Sequence, residues 1–273
     1  MNTPLALVDL ARLVRETWVR HVDQHVELDS TNDRALEMAD SVSEAELPLL
    51  VLADRQTRGR GREARVWWSA PGALTFSLLI ALDPDRLPRS HRSRLALACG
   101  VAVARTIQDS LPAVPLRLKW PNDVYLRDRK VCGILVEIPG GSAPRAVLGV
   151  GVNVNNRFHS APAELRRQAV SLREVAKRKF DRTALLVALL RHLEEQFTEL
   201  CDRPAALLAH WRRFCLLTGR HVHVKSAGRQ LEGCCEGIDE EGRLLVRTAH
   251  GLERLVSASI AAIDPVPQER GVL

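Results

Sequence analysis

The chain has 273 residues, which suits one large domain or a large domain with a small companion. Hydrophobic residues make up 46% and charged residues 26%, close to globular averages, so the chain can bury a sizeable core and disorder is not the default. A net charge of +6 raises nucleic acid as a partner, but only 4% of residues are aromatic, too few to interleave stacking platforms with the basic groups.

From the N-terminus, residues 5–19 have helical spacing through Leu7, Leu10, Val14 and Trp18. The 29 residues before Ser30 hold three arginines and five acids, which predicts an acidic, single-helix extension and no DNA-binding module. Ser30 reads as an N-cap opening a short helix through Met38. Leu49–Ala53 and Leu74–Ile80 read as buried strands, separated by a loop rich in Arg and Gly and by Trp67-Trp68. A long helix is predicted from about Ser90 to Ser110. Short strands follow at Leu116–Trp120, Val124–Leu126, Val131–Ile138 and Val147–Val154, divided by turn signals such as Pro121-Asn122-Asp123. Two helices, about Arg182–Leu200 and Pro204–Phe214, close this part. After Gly219 four short alternating segments (His221–Lys225, Gln230–Gly237, Leu244–Thr248, Leu252–Val256) suggest a small β-barrel-like domain. Strands mixed with helices imply an α+β class, with residues 1–218 as the large domain and 219–273 as the small one.

The six cysteines show no C-x-x-C spacing and two are adjacent, so reduced thiols are expected rather than a zinc site or a disulfide framework. No cationic start precedes an apolar stretch, and no uncharged run reaches the ~20 residues that span a bilayer. A cytoplasmic protein with no membrane partner is expected.

Four segments carry chemistry. Asp54 to Trp67 holds five arginines against two acids on a backbone loosened by Gly59 and Gly61. Glycine permits close approach of backbone N–H groups to an anion, and arginine offers forked donors to phosphate or carboxylate. A solvated basic loop is the ordinary alternative, and neither a dinucleotide nor a P-loop fingerprint is present. Lys119-Trp120-Pro121-Asn122-Asp123 makes a tight turn that presents a carboxylate and an amide, with Lys130 at the start of the next strand. An ammonium beside an Asp can hold an anionic substrate and keep an acceptor ready for an amine; a surface hairpin with an ion pair is the bland reading. Asp29-Ser30-Thr31-Asn32 puts hydroxyls and an amide at a helix start. Gly149-Val150-Gly151-Val152-Asn153-Val154-Asn155 reads as a buried strand whose glycines let a ligand lie against the backbone. His221 and His223 would share a strand face, more ordinarily an exposed β pair than a metal site, and no metal ligand is assigned.

Together and in this order, S-T-N, Q-x-x-G-R-G-R…R-x-W, K-W-P-N-D, K-x-x-G-I-L-V-E and G-x-G-x-N-x-N resemble the biotin protein ligase family. The pattern in Gly233–Val246 is similar to that family's small SH3-like domain. The resemblance implies a mixed sheet packed with helices, like a class II aminoacyl-tRNA synthetase catalytic domain. It also implies an enzyme that makes biotinyl-AMP from biotin and ATP, Mg²⁺ arriving with the phosphates, then biotinylates a lysine of a biotin carboxyl carrier protein. By that resemblance Ser30, Thr31, Asn32 and Gln56 line the biotin pocket, and Arg60, Gly61 and Arg62 belong to a flap over the adenylate. Trp67 packs on adenine and Asn153 holds its edge. Lys130 binds the biotin carboxylate and then the acyl phosphate, and Asp123 sits where the acceptor lysine arrives. Lys119, Asn122 and Gly133 complete the binding set, with Lys130, Arg60 and Asp123 as the catalytic groups. Ala64 departs from the glycine usual at its position. Lipoate ligases share the implied fold, but Gly-Arg-Gly-Arg with Lys-Trp-Pro-Asn-Asp favours biotin. A homodimer is left open, and no repressor role is expected.

Overall fold

The computed structural model describes residues 8–141 and 143–264. Its centre is a seven-stranded sheet in the order β1-β2-β3-β7-β6-β5-β4. The strands are β1 (His21–Leu28), β2 (Leu49–Gln56), β3 (Leu74–Ala81), β4 (Leu116–Lys119), β5 (Asp123–Leu126), β6 (Arg129–Glu137) and β7 (Arg145–Val152). Only β1 and β2 run parallel; the other neighbours are antiparallel. The expected α+β class holds.

Side chains alternate across a strand, so each central strand feeds two layers. Leu50, Leu52, Phe76, Leu78, Leu148 and Val150 face the main core. There they meet α3 (Arg94–Ser110), α6 (Arg182–Asp202) and α7 (Pro204–Phe214). Leu49, Val51, Leu79 and Val147 face the other way, where Ala35 and Ala39 of the region around α2 (Thr31–Met38) cover them. That second layer is short. Beyond the N-terminus of α2 the same face continues with Thr75 and Ser77 of β3, Gly149 and Gly151 of β7, and their β6 partners Leu135 and Gly133. Small and hydroxylic residues at these places leave a trough instead of a core.

The N-terminal expectation needs correction. Helix α1 spans only Leu10–Glu16, buries Leu13 and leaves Val14 exposed; Leu7 lies outside the described residues. Residues 21–28 are a strand, not part of a helical extension. β1 adds to the sheet edge through its backbone, so its polar sequence, with Val26 exposed, gave no periodic apolar signal. Two short helices, α4 (Ala163–Gln168) and α5 (Leu172–Ala176), also went unread.

The C-terminal sheet is antiparallel, in the order β11-β10-β9-β8-β12. It comprises β8 (His221–Ser226), β9 (Arg229–Ile238), β10 (Leu244–Thr248), β11 (Gly251–Leu255) and the unexpected fifth strand β12 (Ser259–Ile263). Val222, Val224, Cys235, Leu244 and Val246 are its buried interior. It is tied to the large sheet by the Trp120 indole, whose N–H donates to Gly242 O at 3.0 Å. No helix among the described residues is long and apolar enough to cross a membrane.

Candidate active site

The trough is the floor of a cleft between the large sheet, the 56–67 loop and the β11–β12 turn. At one end sits the start of α2. Ser30 caps the helix by accepting from the Asp33 N–H at 3.3 Å, which leaves Thr31 and Asn32 in the first turn facing the sheet. The Thr31 backbone N–H and hydroxyl both donate to Gln56 Oε1, at 2.7 and 3.0 Å. Ser77 Oγ lies 2.8 Å from Thr31 Oγ1 and 2.5 Å from Asn32 Oδ1. The Asn32 amide N–H donates to Glu137 Oε2 at 2.7 Å and to Leu135 O at 3.3 Å. This end is buried, polar and neutral apart from Glu137.

The other end is cationic. Lys130 Nζ pairs with Asp123 Oδ1 at 2.6 Å across the β5–β6 hairpin, where a bulge after Val124 shifts the register. A Cβ on Gly133 would lie 3.2 Å from Lys130 Nζ, so the glycine makes room for the ammonium group. The Asn122 amide donates to Ile134 O at 2.6 Å, fixing the Pro-Asn-Asp turn. Lys119 is half-buried over Tyr125, with Nζ 5.9 Å from the ring centroid. Burial, with Lys130 and Arg65 nearby, holds its pKa below the ordinary lysine range, against the opposing pull of Asp123.

The arginine loop closes the cleft. Trp67 N–H donates to Gly59 O at 2.8 Å and Gly61 N–H to Arg65 O at 2.7 Å, folding 59–67 into a flap. Arg60 forks onto Glu137 at 3.0 and 2.7 Å and also reaches Asp33 at 2.7 Å. The Glu137 carboxylate strengthens its protonation. Arg62 donates to Ser257 Oγ at 2.8 Å, and burial pulls its pKa down. Glu63 and Ala64 both have positive φ, 55° and 57°. Ala64 therefore occupies the left-handed conformation that glycine adopts more cheaply, by about 1 kcal/mol. Trp67 lies flat against the floor: a Cβ on Gly151 would be 2.4 Å from its ring. The close approaches that the strand glycines permit are thus to Trp67 and, at Gly149, to Asn32. The Trp67 indole N–H is buried without a hydrogen-bond partner among the described residues.

The cleft is thus neutral at one end and cationic at the other, and the sequence comparisons say which family carries it. The biotin/lipoate A/B protein ligase family model matches residues 26–153, and the biotin protein ligase C-terminal domain model matches 217–261. The bifunctional ligase/repressor BirA of Bacillus subtilis is 33% identical over 253 residues, covering 91% of this chain and 76% of that protein. The chain belongs to the biotin protein ligase family.

Two further likenesses agree with the membership. A biotin–[acetyl-CoA-carboxylase] ligase of Mycobacterium tuberculosis is 33% identical over 228 residues, 82% of each chain. The solved biotin protein ligase of Aquifex aeolicus in complex with biotin and ATP superposes with a TM-score of 0.76 at 30% identity, over 88% of this chain and 98% of that one. In this family member Ser30, Thr31, Asn32, Gln56, Arg60, Gly61, Arg62, Trp67, Lys119, Asn122, Asp123, Lys130 and Gly133 all line one cleft. Asn153 does not. It follows β7, is 2% exposed, and its amide oxygen accepts from Asn156 at 3.0 Å, so it faces the interior beside the cleft. Sequence reasoning missed Ser77, Glu137 as a flap anchor, Ser257 as an acceptor for Arg62, and the Ala258–Ile260 wall. Thr75 and Ser77 carried a signal: two hydroxyls spaced by two in an apolar strand must share one face.

Proposed function

We propose that the chain condenses biotin with ATP to biotinyl-5′-AMP and pyrophosphate, then transfers the biotinyl group to a lysine of a biotin carboxyl carrier protein. Family membership supports this reading, and one observation carries it in this chain. The Lys130–Asp123 pair, at 2.6 Å, shares a small-residue trough with the uncharged Thr31–Asn32–Gln56 cluster. Amide and hydroxyl groups suit a neutral ureido ring, and cations suit a carboxylate tail and phosphates.

In the first step a biotin carboxylate oxygen attacks the α-phosphorus, the bond to the β-phosphate breaks, and pyrophosphate leaves. Two anions must meet. Lys130, Arg60 and Arg62 would offset their repulsion, each charge-assisted hydrogen bond contributing about 1.5–3 kcal/mol. Arg60 would have to exchange Glu137 or Asp33 for substrate oxygens, so flap closure and substrate binding compete for the same guanidinium. Mg²⁺ fits as an ion held by the phosphates: Asp123 and Glu137 are already matched to Lys130 and Arg60, leaving no all-carboxylate cage at the cleft among the described residues. When bound it would supply neutralising charge.

In the second step the neutral amine of the carrier lysine attacks the acyl carbonyl. The bond to the phosphate oxygen breaks, AMP leaves with its electron pair, and the amine proton passes to Asp123 or to the departing phosphate. A mixed anhydride hydrolyses readily, so a flap seated on Trp67 and held against Ser257 and Ser259 would exclude water while the carrier docks. In this reading residues 219–264 form an SH3-like companion to a catalytic domain ending near 218. The cytoplasm is the expected compartment.

Mass spectrometry of an isolated carrier domain after incubation with the chain, biotin and MgATP tests the proposal. A single biotin adduct, absent when lipoate replaces biotin, is expected. No adduct, or equal modification by lipoate, would reject it.

A further inference from the structure

A second cluster lies in the C-terminal sheet, on residues the ligase reading does not use. His221 and His223 stand two apart on β8, so both rings emerge on one face. Their centroids are 5.5 Å apart at 75°. Just past β12, the Asp264 backbone N–H donates to His221 O at 3.0 Å, which sets the Asp264 carboxylate between the rings. Its oxygens lie 3.0 Å from His221 Nδ1 and 3.2 Å from His223 Nε2. All three groups offer ligand atoms within 4.8 Å of one another. An ion with bonds of about 2.0–2.2 Å in a tetrahedral site has ligand–ligand edges of about 3.4 Å. Each nitrogen is therefore already near that distance from one oxygen of the carboxylate, His221 from Oδ2 and His223 from Oδ1, and a small turn of the carboxylate or of one ring would let a single oxygen serve both.

The other nitrogen of His223 has a carboxylate neighbour of its own. Nδ1 faces Glu232 Oε2, 3.5 Å away on the paired strand β9. A neutral imidazole has one N–H and one lone pair. Without an ion, Nε2–H donates to the Asp264 carboxylate at 3.2 Å; an ion bound at Nε2 would replace that hydrogen, and Nδ1 would then turn its own N–H to Glu232. A metal-bound histidine commonly directs its second nitrogen to a carboxylate in this way. We propose that His221, His223 and Asp264 form a binding site for a borderline divalent cation, Zn²⁺ in the first instance. Glu232 orients His223, and solvent completes the coordination. Each ligand is nearly half exposed, so the ion has access and an open position. Imidazole and carboxylate ligands without thiolate suit Zn²⁺, Ni²⁺ or Cu²⁺ over Mg²⁺ or Ca²⁺. The ion would clasp the end of β12 to β8. The start of β12, Ser259 and Ile260, is part of the wall of the ligase cleft.

The test is calorimetric titration of the full chain, stripped with a chelator, with ZnCl2 at pH 7.5. Wild type should bind one ion, with affinity falling at least tenfold in each of His223→Ala and Asp264→Asn. Cys234→Ser, which removes the exposed thiol, should bind as wild type does. Zn²⁺ should raise the melting temperature of wild type and not that of His223→Ala. Unchanged affinity in both ligand variants, loss of binding in Cys234→Ser, or no binding to wild type at 0.1 mM (roughly the weakest affinity worth calling a site) would overturn the proposal.

Discussion

Adding one methyl group at Gly149 should weaken both the fold and biotin binding. A Cβ there would lie 2.1 Å from Asn32 Oδ1 and 2.8 Å from its Cγ, whereas ordinary contact begins near 3.4 Å. The amide must therefore withdraw by roughly 1.3 Å, a displacement set by van der Waals contact. It is the end of a side chain, so it can swing, but it leaves three partners: Ser77 Oγ, Glu137 Oε2 and Leu135 O. A neutral hydrogen bond contributes about 1 kcal/mol and one to a charged group about 1.5–3. Losing the Ser77 and Glu137 bonds thus costs about 3 kcal/mol, or about 6–12 °C in Tm for a chain of this size. Differential scanning fluorimetry reads the Tm, and calorimetry with biotin reads the affinity, which should fall about 10–100-fold as a misplaced amide forfeits about 1.4–2.7 kcal/mol. Combining Gly149→Ala with Asn32→Ala removes the clash but not the loss of these bonds, so the double variant should melt no lower than Gly149→Ala and recover none of the affinity. Wild-type biotin affinity in Gly149→Ala would refute the placement of Asn32 at the ligand.

Replacing Ala64 by glycine relieves a left-handed alanine, so Tm should rise by about 2–4 °C for the roughly 1 kcal/mol recovered, as thermal melts would show. Glu137→Gln weakens the hold on Arg60, whose Asp33 contact remains; allowing for partial exposure, about 1 kcal/mol is lost, and trypsin should cut the flap about fivefold faster. Because burial holds Lys119 below its ordinary pKa, the folded chain releases that proton before the unfolded chain does. The burden of a charged Lys119 is thus present at neutral pH and lifts as pH rises through its folded pKa. Denaturation of wild type against Lys119→Met should show the wild type gaining in relative stability across that window, and the alkaline limb of activity should move upward in Lys119→Arg.

Strands β2, β3 and β7 were legible because central strands buried on both faces read as apolar runs. Their division between a packed core and a trough was not, since that depends on which residues meet across the ladder: Ser77 opposite Gly149, Gly149 opposite Leu135, Val147 opposite Glu137. β1 escaped because an edge strand can be specified by backbone pairing alone, and β12 because five residues ending in Ala-Ala-Ile hardly differ from a tail. The cleft residues came from motif resemblance more than from periodicity, and twelve positions spread over Ser30–Gly133 meet there with Arg62. Asn153 is buried, and its amide oxygen accepts from the neighbouring Asn156, a pairing that no local pattern announces. Contacts made by residues distant in sequence, such as Arg62 with Ser257, leave no local trace at all.

The most direct measurement is biotin-dependent exchange of labelled pyrophosphate into ATP, followed by recovery of acyl nucleotide retained on the chain. Wild type should exchange label only with biotin present and keep biotinyl-AMP bound, and Lys130→Ala combined with Arg60→Ala should lose both formation and retention. Exchange independent of biotin, or wild-type yield and lifetime in the double variant, would contradict a cleft that joins two anions under a guanidinium flap.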